Sequence, residues 1–426
     1  MLVTMTDSGR EVHVGDHLEL DISGVAHGGV FVARYEGRVV FVSDAVPGER
    51  VRARLSDLGH SSFWRADTVE VLTSSADRQE HVWDAAALER DPDERAGGAE
   101  FGHISPERQR ALKAEVLVDA LSRFGGVDAV SLGFSGVTAL PGEPDGTRWR
   151  TRVRLHVGAD GAVGPYAARS HRVVPMTTLP LATAAVRDAA PHRVGGDVSA
   201  VDVIATSTGD VRVQEVGDRG SVSRGTTADI VERVGSREFR LAADGFWQVH
   251  TAAAETLTRA VQDAIDENRF DPAADNLDLY GGVGLLAAAM GDRFGPKTRV
   301  TSVESDSRAT EHAGRNLADW VGARAVTARV DRYLGRSGGG SRTSARAGGG
   351  ATVVLDPPRS GAGKGVMGNL LRARPAQVVY VACDPVALAR DIGYAARDGY
   401  RVASLRAFDL FPNTHHVEAV ATLVPE

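Results

Sequence analysis

Cysteine is almost missing from this sequence: Cys383 is the only one in 426 residues. A single thiol excludes an internal disulfide framework, which is typical of proteins in a reducing cytoplasm. It also excludes any metal site that needs several cysteine ligands. No histidine pair with metal-ligand spacing falls on a predicted helix, so the sequence predicts no metal site.

Long apolar runs are also missing. The longest, such as "GLLAAAMG", fall far short of the ~20 residues that cross a bilayer, and the start "MLVTMTDSGR" has no apolar signal core. With 42% hydrophobic and 25% charged residues, the composition is that of a globular chain. We therefore expect a soluble, cytoplasmic protein without a membrane partner, monomeric by default, and with more than one domain.

An excess of positive charge is lacking too, since the formal net charge is −7. This argues weakly against nucleic-acid binding by the whole surface. Locally, however, "RWRTRVRLHV" places four arginines at period two (Arg148, Arg150, Arg152 and Arg154). In a strand they would share one face, which is either a solvated face or a stripe that contacts phosphates.

The chain divides into three predicted domains. Residues 8–73 alternate apolar and polar positions between glycine turns, which predicts a small β-barrel of the oligonucleotide-binding type. Residues 74–240 read as a linker and a central α+β domain. Residues 241–426 alternate strands with helices, which indicates a Rossmann-like doubly wound parallel sheet. Within it, the Gly/Ser/Arg-rich segment 335–350 is predicted to be a disordered spacer.

A glycine turn in the last domain suggests a cofactor. "DLYGGVG", Asp278 to Gly284, joins a strand to a helix, and Glu304 ends the next strand 20 residues later. That spacing suits a carboxylate that binds ribose hydroxyls. Because the turn lacks the full G-x-G-x-x-G pattern and a phosphate-binding lysine, S-adenosylmethionine is favoured over NAD.

Three more polar residues stand within apolar strands or at their ends. Asp356 ends "VVLDPP", which predicts a position at the ligand-binding edge of the sheet, although a turn aspartate would look the same. Cys383 precedes the helix start Asp384-Pro385, whose partial positive charge would favour a thiolate; the alternative is a buried, inert thiol. Glu418 is an acid within the otherwise apolar closing strand "HHVEAVATLV", as a surface residue or a general base. The neighbouring histidines at 415 and 416 receive no role.

Together these motifs resemble the RNA 5-methyluridine (uracil-C5) methyltransferase family. The N-terminal "GVAHGGVFVARYEGRVVFVSDAVPGERVRARL" is similar to the family's TRAM domain, a small RNA-binding barrel. The matching segments that follow are "GGAEFGHISPERQRALKAEVL", "GPYAARSHRVVPM", "DGFWQVHTAAAETL", "DLYGGVG", "LDPPRSG", "VYVACDPVALARD" and "FPNTHHVEAVATL". The resemblance covers most of the chain.

The resemblance implies a role for each matching residue. Cys383 would attack C6 of a uracil, and Glu418 would remove the C5 proton after methylation. The implied cofactor-binding residues are Gln248, Tyr280, Glu304, Asp331 and Asp356, and the implied base-binding residues are Phe246 and Asp356. The implied cofactor is S-adenosylmethionine and the implied partner is RNA, with a target base that leaves its stack.

The sequence departs from the family pattern at several positions. Many members hold an iron–sulfur cluster with four cysteines, but Ala99 stands at one ligand position here and the remaining cysteines are missing, so no cluster is expected. Gly281 replaces a common cysteine, His250 an asparagine, and Asp384 the asparagine of "CNP". The last two lie near the implied site.

Two other functions remain open at the sequence level. The chain could be a non-catalytic RNA-binding protein that keeps the fold, or a methyltransferase for another nucleobase or a small molecule. The intact Cys383, Glu418 and Asp356 argue against the former, and the TRAM-like barrel argues for RNA. The motifs do not separate 23S ribosomal RNA from transfer RNA; ribosomal RNA is narrowly preferred.

Overall fold

The computed structural model describes residues 3–5, 11–217, 228–335 and 350–426. Almost all of the segment that was predicted to be a disordered spacer lies outside the described residues. Within the described ranges, no helix combines the length and the apolar character that a membrane crossing requires.

The N-terminal part is a closed five-stranded barrel, as the alternating pattern predicted. A short hairpin, β1 (Val3–Met5) and β2 (Glu11–His13), comes first. The barrel strands are β3 (His17–Ala26), β4 (Val30–Tyr35), β5 (Arg38–Ser43), β6 (Arg50–Asp57) and β7 (Phe63–Thr73), in the order β3-β4-β5-β7-β6. Alternate side chains point inward because successive residues of a strand face opposite sides, and Phe31 and Trp64 fill the interior.

The middle of the chain is built on a four-stranded antiparallel sheet in the order β10-β9-β11-β12. Its strands, the adjoining short helix and the hairpin that follows are β9 (Arg152–Val157), β10 (Val163–Gly164), α2 (Ala184–Ala189), β11 (Val198–Ala205), β12 (Val211–Gly217), β13 (Asp229–Val234) and β14 (Arg237–Ala242). Short 3₁₀ turns, Asp84–Ala86 and Pro92–Glu94, lie in the preceding linker.

The arginine stripe predicted for this region does not form as one face. Strand β9 begins only at Arg152, and Arg148 lies before it with a positive φ of 57°. Arg152 is buried and pairs with Glu232 at 3.2 Å, while Arg154 pairs with Asp202 at 2.6 Å. The guanidinium groups of Arg152 and Arg154 are therefore held by carboxylates on β13 and β11.

The C-terminal part is an eight-stranded sheet in the order β17-β16-β15-β18-β19-β21-β20-β8. Its strands are β8 (Val137–Ala139), β15 (Asn276–Leu279), β16 (Val300–Glu304), β17 (Ala323–Thr327), β18 (Thr352–Leu355), β19 (Gln377–Ala382), β20 (Tyr400–Asp409) and β21 (Glu418–Pro425). The helices are α3 (Ala253–Ala264), α4 (Leu285–Phe294), α5 (Ser307–Asn316), α6 (Val330–Gly335), α7 (Gly363–Arg372) and α8 (Pro385–Arg397), with a 3₁₀ turn at Glu267–Arg269.

This sheet is doubly wound, as predicted, and it contains one antiparallel strand besides the parallel ones. Strands β15 to β19 pair in parallel, but β21 is inserted antiparallel between β19 and β20. The short connection from β20 to β21 allows only an antiparallel return, since a parallel one needs a long crossover. The insertion brings the start of β21 to the edge where the parallel strands end.

Two elements from the region before residue 240 also belong to this layer. Helix α1 (Pro106–Ala120) starts after Ser105 and continues into a π-helical turn, Leu121–Gly125, which ends at Gly126 in the left-handed conformation. Leu117 and Leu121 pack in the core beneath the sheet, and β8 pairs with β20. The division at residues 8–73, 74–240 and 241–426 therefore stays a proposal about folding units.

Candidate active site

Cys383, Asp356 and Glu418 meet at one edge of the C-terminal sheet. Asp356 follows β18 and Cys383 follows β19, and these two strands are parallel neighbours, so their ends lie side by side. Glu418 is the first residue of β21, and Ala419 pairs with Ala382. The strand ends predicted the first two positions, whereas Glu418 joins them because β21 runs antiparallel.

Burial changes the acidity of all three groups. The pKa of Glu418 is raised well above its ordinary value, first by burial and then by the charge of Asp356. Burial, followed by the charge of Asp278, raises the pKa of Asp356 to about 7. Carboxyls that lose their hydration and face one another resist ionisation. These two acids therefore hold their protons to a higher pH than exposed carboxyls do.

The thiol of Cys383 follows the same rule, which corrects the sequence-based expectation of a thiolate. Helix α8 does begin as predicted: the Asp384 side chain accepts a hydrogen bond from the Ala387 backbone N–H at 2.8 Å. However, burial, and after it the charges of Glu418 and Asp356, raises the pKa of Cys383 to about 12. Desolvation and two carboxyls outweigh the modest effect of a helix N-terminus.

The predicted cofactor turn lies at the same edge, two strands away. Tyr280 follows β15 with a positive φ of 63°, and the glycines at 282 and 284 also have positive φ. Glu304 ends β16, and its Oε2 accepts a hydrogen bond from the Gly282 backbone N–H at 3.2 Å. The carboxylate is thus held at the mouth of the turn, where the ribose interpretation places it.

Asp278, in β15 just before this turn, is a polar residue to which the sequence assigned no role. It is fully buried; its Oδ2 accepts hydrogen bonds from Ser302 Oγ at 3.1 Å and the Ala287 N–H at 3.2 Å. Its Oδ1 has no partner among the described residues, and burial raises its pKa to about 7. An acid inside the apolar strand "NLDL" was the available signal. An unpartnered acceptor beside a glycine turn fits a cofactor with a polar tail.

The remaining predicted cofactor residues are less closely tied to this turn. Asp331 opens α6, is half exposed and pairs with Arg329 at 2.9 Å. It still acts on Tyr280, because burial and then the Asp331 charge raise the pKa of that phenol to about 12. Gln248 is half-buried and Phe246 is 75% exposed. No hydrogen bond or ring contact among the described residues joins either one to the Cys383 group.

Close packing at Gly281 leads to a prediction. A Cβ at this position would lie 2.0 Å from Ser302 Oγ and 2.6 Å from Asp278 Oδ2. We expect Gly281→Ala to weaken S-adenosylmethionine binding and to lower the free energy of unfolding by roughly 1–3 kcal/mol, as overpacking does. Calorimetric titration and chemical denaturation measure the two effects. Gly368→Ala is the control, because a Cβ there meets nothing within 4 Å; equal losses in both variants would contradict the prediction.

A cavity of about 140 Å³ opens beside Cys383. Its lining includes His27 from the barrel, Arg359 after β18, and His415 and His416 before β21. Arg359 lies 3.3 Å from His416 Nε2, and burial, followed by the charge of His415, lowers the pKa of His416 to about 3. The sequence gave no reason to link these four residues, because they come from three distant segments.

The departures His250 and Ala99 lie in packed apolar surroundings. His250 is buried and stacks on Trp149 at 5.5 Å, and burial lowers its pKa to about 4. Ala99 packs in a cluster with Trp83, Trp149 and Leu179. These apolar side chains offer no thiolate and do not fit an iron–sulfur cluster. Within the described residues, no group of three or more acidic, histidine or cysteine side chains has a metal-binding arrangement.

Comparisons with known proteins match both ends of the chain to described families. Residues 347–424 match the model of the tRNA (uracil-5-)-methyltransferase family, and residues 11–59 match the TRAM domain. An uncharacterized RNA methyltransferase of Streptomyces avermitilis is 39% identical, over 97% of this chain and 99% of its own. One from Bifidobacterium longum is 33% identical over 95% of each chain.

The fold has a solved counterpart. The crystal structure of the Pyrococcus abyssi tRNA (uracil-54, C5)-methyltransferase in complex with S-adenosyl-L-homocysteine has a TM-score of 0.69 at 21% identity. The match covers 95% of this chain and 99% of that one. Barrel, middle region and sheet are thus all matched in one molecule. With the sequence relatives, these findings show that the chain belongs to the S-adenosylmethionine-dependent RNA (uracil-C5) methyltransferases with an N-terminal TRAM domain.

Proposed function

We propose that this enzyme methylates C5 of a uridine in transfer RNA or 23S ribosomal RNA through a covalent bond between Cys383 and C6 of the base. The observation that carries the proposal is the junction of the only thiol in the chain with two buried carboxyls at the edge that also bears the cofactor turn. A thiol that can add to C6 and a buried carboxyl that can remove the C5 proton are the two groups that methylation of uracil at C5 requires.

Uracil C5 is a poor nucleophile, and addition of a thiolate to C6 makes it reactive. The Cys383 thiol first gives up its proton to solvent; its sulfur then forms a bond to C6 as the C5–C6 double bond opens, and negative charge spreads over C5 and the neighbouring carbonyl. Asp356 hydrogen-bonds the base as this charge develops. One difficult substitution is thereby divided into easier steps.

S-adenosylmethionine, when bound, supplies an electrophilic methyl group on a positively charged sulfur. Tyr280 and Glu304 would hold it, together with Gln248, Asp331 and Asp356. After C5 has accepted the methyl group, Glu418, once it has released its own proton to solvent, removes the C5 proton. The electron pair of the C–H bond restores the C5–C6 double bond, and the Cys383 thiolate leaves. The raised pKa of Glu418 supports this role, since a weaker acid has a stronger conjugate base.

The target base must leave its stack to reach Cys383, because C6 is not accessible in a paired and stacked uridine. Phe246 is a large exposed aromatic residue and would stack on the flipped base. The barrel would hold flanking RNA. The 75% exposure of the Phe246 side chain supports the stacking role assigned to it.

Labelled S-adenosylmethionine and total RNA that lacks 5-methyluridine provide the direct test. We expect label to appear as 5-methyluridine at a single position, and mapping of that position decides between transfer RNA and ribosomal RNA. Label on another base would support the alternative of a different nucleobase. Binding of RNA without any transfer would indicate a non-catalytic RNA-binding protein and would contradict the proposal.

A further inference from the structure

The barrel contacts the residue that follows the proposed nucleophile. His27 lies in the turn between β3 and β4, and its Nε2 is 2.9 Å from Asp384 Oδ2. The other oxygen of Asp384 accepts the hydrogen bond from Ala387 N–H that caps α8. One carboxylate therefore joins the barrel, through His27, to the helix that begins directly after Cys383.

The same turn forms one wall of the cavity beside Cys383. Residues 26–29 line this cavity together with Cys383, Arg359 and His416. Gly29 has a positive φ of 76°, and a Cβ there would lie 2.8 Å from the Cβ of His415. The turn is therefore packed closely against the loop that leads to Glu418, and it forms part of the cavity lining.

We propose that His27 and Asp384 are a positioning pair that holds the barrel turn as a wall of the cavity in which the target nucleotide is seated. The barrel then takes part directly in placing the uridine at Cys383, besides holding RNA elsewhere. The identification of the occupant as a nucleotide rests on the proposed function. The role of His27 and Asp384 in holding the wall does not depend on it. Asp384 stands where the family pattern has asparagine. In this chain the contact with His27 can therefore be an ion pair, which an asparagine could not form.

Protonation of His27 strengthens the contact. The hydrogen bond to Asp384 raises the pKa of His27 although burial opposes the change. Burial also opposes ionisation of Asp384, but hydrogen bonds from His27 and Ala387 keep its pKa below the ordinary value. The stabilisation is complete below the ordinary histidine pKa of about 6.5. It weakens as the pH rises through the raised pKa of His27, because the ion pair becomes a hydrogen bond from a neutral ring.

Other charged groups face the same cavity and must be separated from His27 in any pH study. Lys113 of α1 is buried and pairs with Asp409 at 2.5 Å, and Glu100 lies 3.5 Å from His415. The remaining titratable groups in the lining are Arg359, Cys383, His415 and His416. The protonation of His27 is therefore better followed on its own ring by NMR than from the pH dependence of the whole protein.

The first test needs no RNA. Histidine NMR should show the His27 pKa falling toward its ordinary value in Asp384→Asn, which keeps an oxygen to cap α8.

Alkylation by iodoacetamide reports access to the cavity, since Cys383 is the only cysteine. We expect His27→Ala to speed alkylation at pH 6.5 by about two- to fivefold, which is what a partly exposed ion pair contributes. The exposed His17, at the other end of β3, provides the control variant His17→Ala.

The sign of the alkylation change separates wall opening from electrostatics. Loss of a cation near Cys383 would by itself raise the thiol pKa and slow alkylation, whereas an opened wall speeds it. Slower or unchanged alkylation in His27→Ala would overturn the proposal, as would an unchanged His27 pKa in Asp384→Asn. These readouts stand even if no methyl transfer to uridine is found.

The second test uses methyl transfer to the RNA fragment identified by the mapping experiment. We expect His27→Ala and Asp384→Asn each to raise KM for RNA about two- to fivefold at pH 6.5, and the double variant to add little. KM for S-adenosylmethionine should not change. His27→Gln, whose amide donates at any pH, should restore KM and remove its dependence on the His27 protonation. Additive effects, or equal losses in His17→Ala, would show that the two residues do not act as a pair.

Discussion

Replacement of Cys383 by alanine is expected to lower methyl transfer to RNA by roughly 10⁴-fold or more, the loss typical of a removed nucleophile. No other cysteine exists in the chain to take over the addition to C6. The variant should still bind S-adenosylmethionine, because Tyr280 and Glu304 lie at the ends of other strands. Transfer of labelled methyl groups and calorimetric titration of the cofactor measure the two properties.

The covalent intermediate gives a second readout for this variant. RNA that carries 5-fluorouridine at the target should form a stable adduct with the native enzyme, because fluorine cannot leave as a cation in place of the C5 proton. On denaturing gels the adduct should appear with the native protein and be missing with Cys383→Ala. Persistent transfer, or an adduct without Cys383, would mean that another group, or none, attacks C6.

Replacement of Glu418 by glutamine is expected to slow turnover by roughly 10²–10⁴-fold, the usual contribution of a general base. The change is nearly isosteric, which matters because the side chain is buried. Addition of Cys383 and methyl transfer can still proceed, but the C5 proton can no longer be removed. The methylated RNA should therefore accumulate as an adduct on the protein with ordinary uridine.

Accumulation of this adduct in Glu418→Gln distinguishes a general base from a residue that only supports the fold. If Glu418 only supported the fold, Glu418→Gln would lose adduct and turnover together. Free turnover of this variant without an adduct would contradict the assigned role. Thermal unfolding provides the control: removal of an acid whose folded-state pKa is raised should not destabilise the protein at neutral pH, because the buried carboxyl already resists ionisation.

The placement of residues at strand ends could be predicted from the sequence. Asp356, Cys383 and Glu304 each close an apolar run, and the carboxyl ends of parallel strands meet at one edge. The helix start at Asp384-Pro385 and the glycine turn were predicted for similar local reasons. Each depends on residues within a few positions of one another, so a single stretch of sequence contains the necessary information.

Relations between distant segments were not accessible in the same way. The antiparallel insertion of β21 decides that Glu418 meets Cys383. Docking of the barrel decides that His27 reaches Asp384 across 357 positions of sequence. The arginines at 148–154 were expected on one face, but the strand begins at Arg152 and carboxylates of other strands hold two of the four.

The sequence by itself determined the classes of element, the edge at which the chemistry occurs and the identity of the only available thiol. The tertiary structure alone decided the ionisation of that thiol. A helix N-terminus predicts a thiolate, yet burial beside Glu418 and Asp356 raises the Cys383 pKa to about 12. Acidity depends on the charge and solvent around a group in space, and those surroundings come from strands that are far apart along the chain.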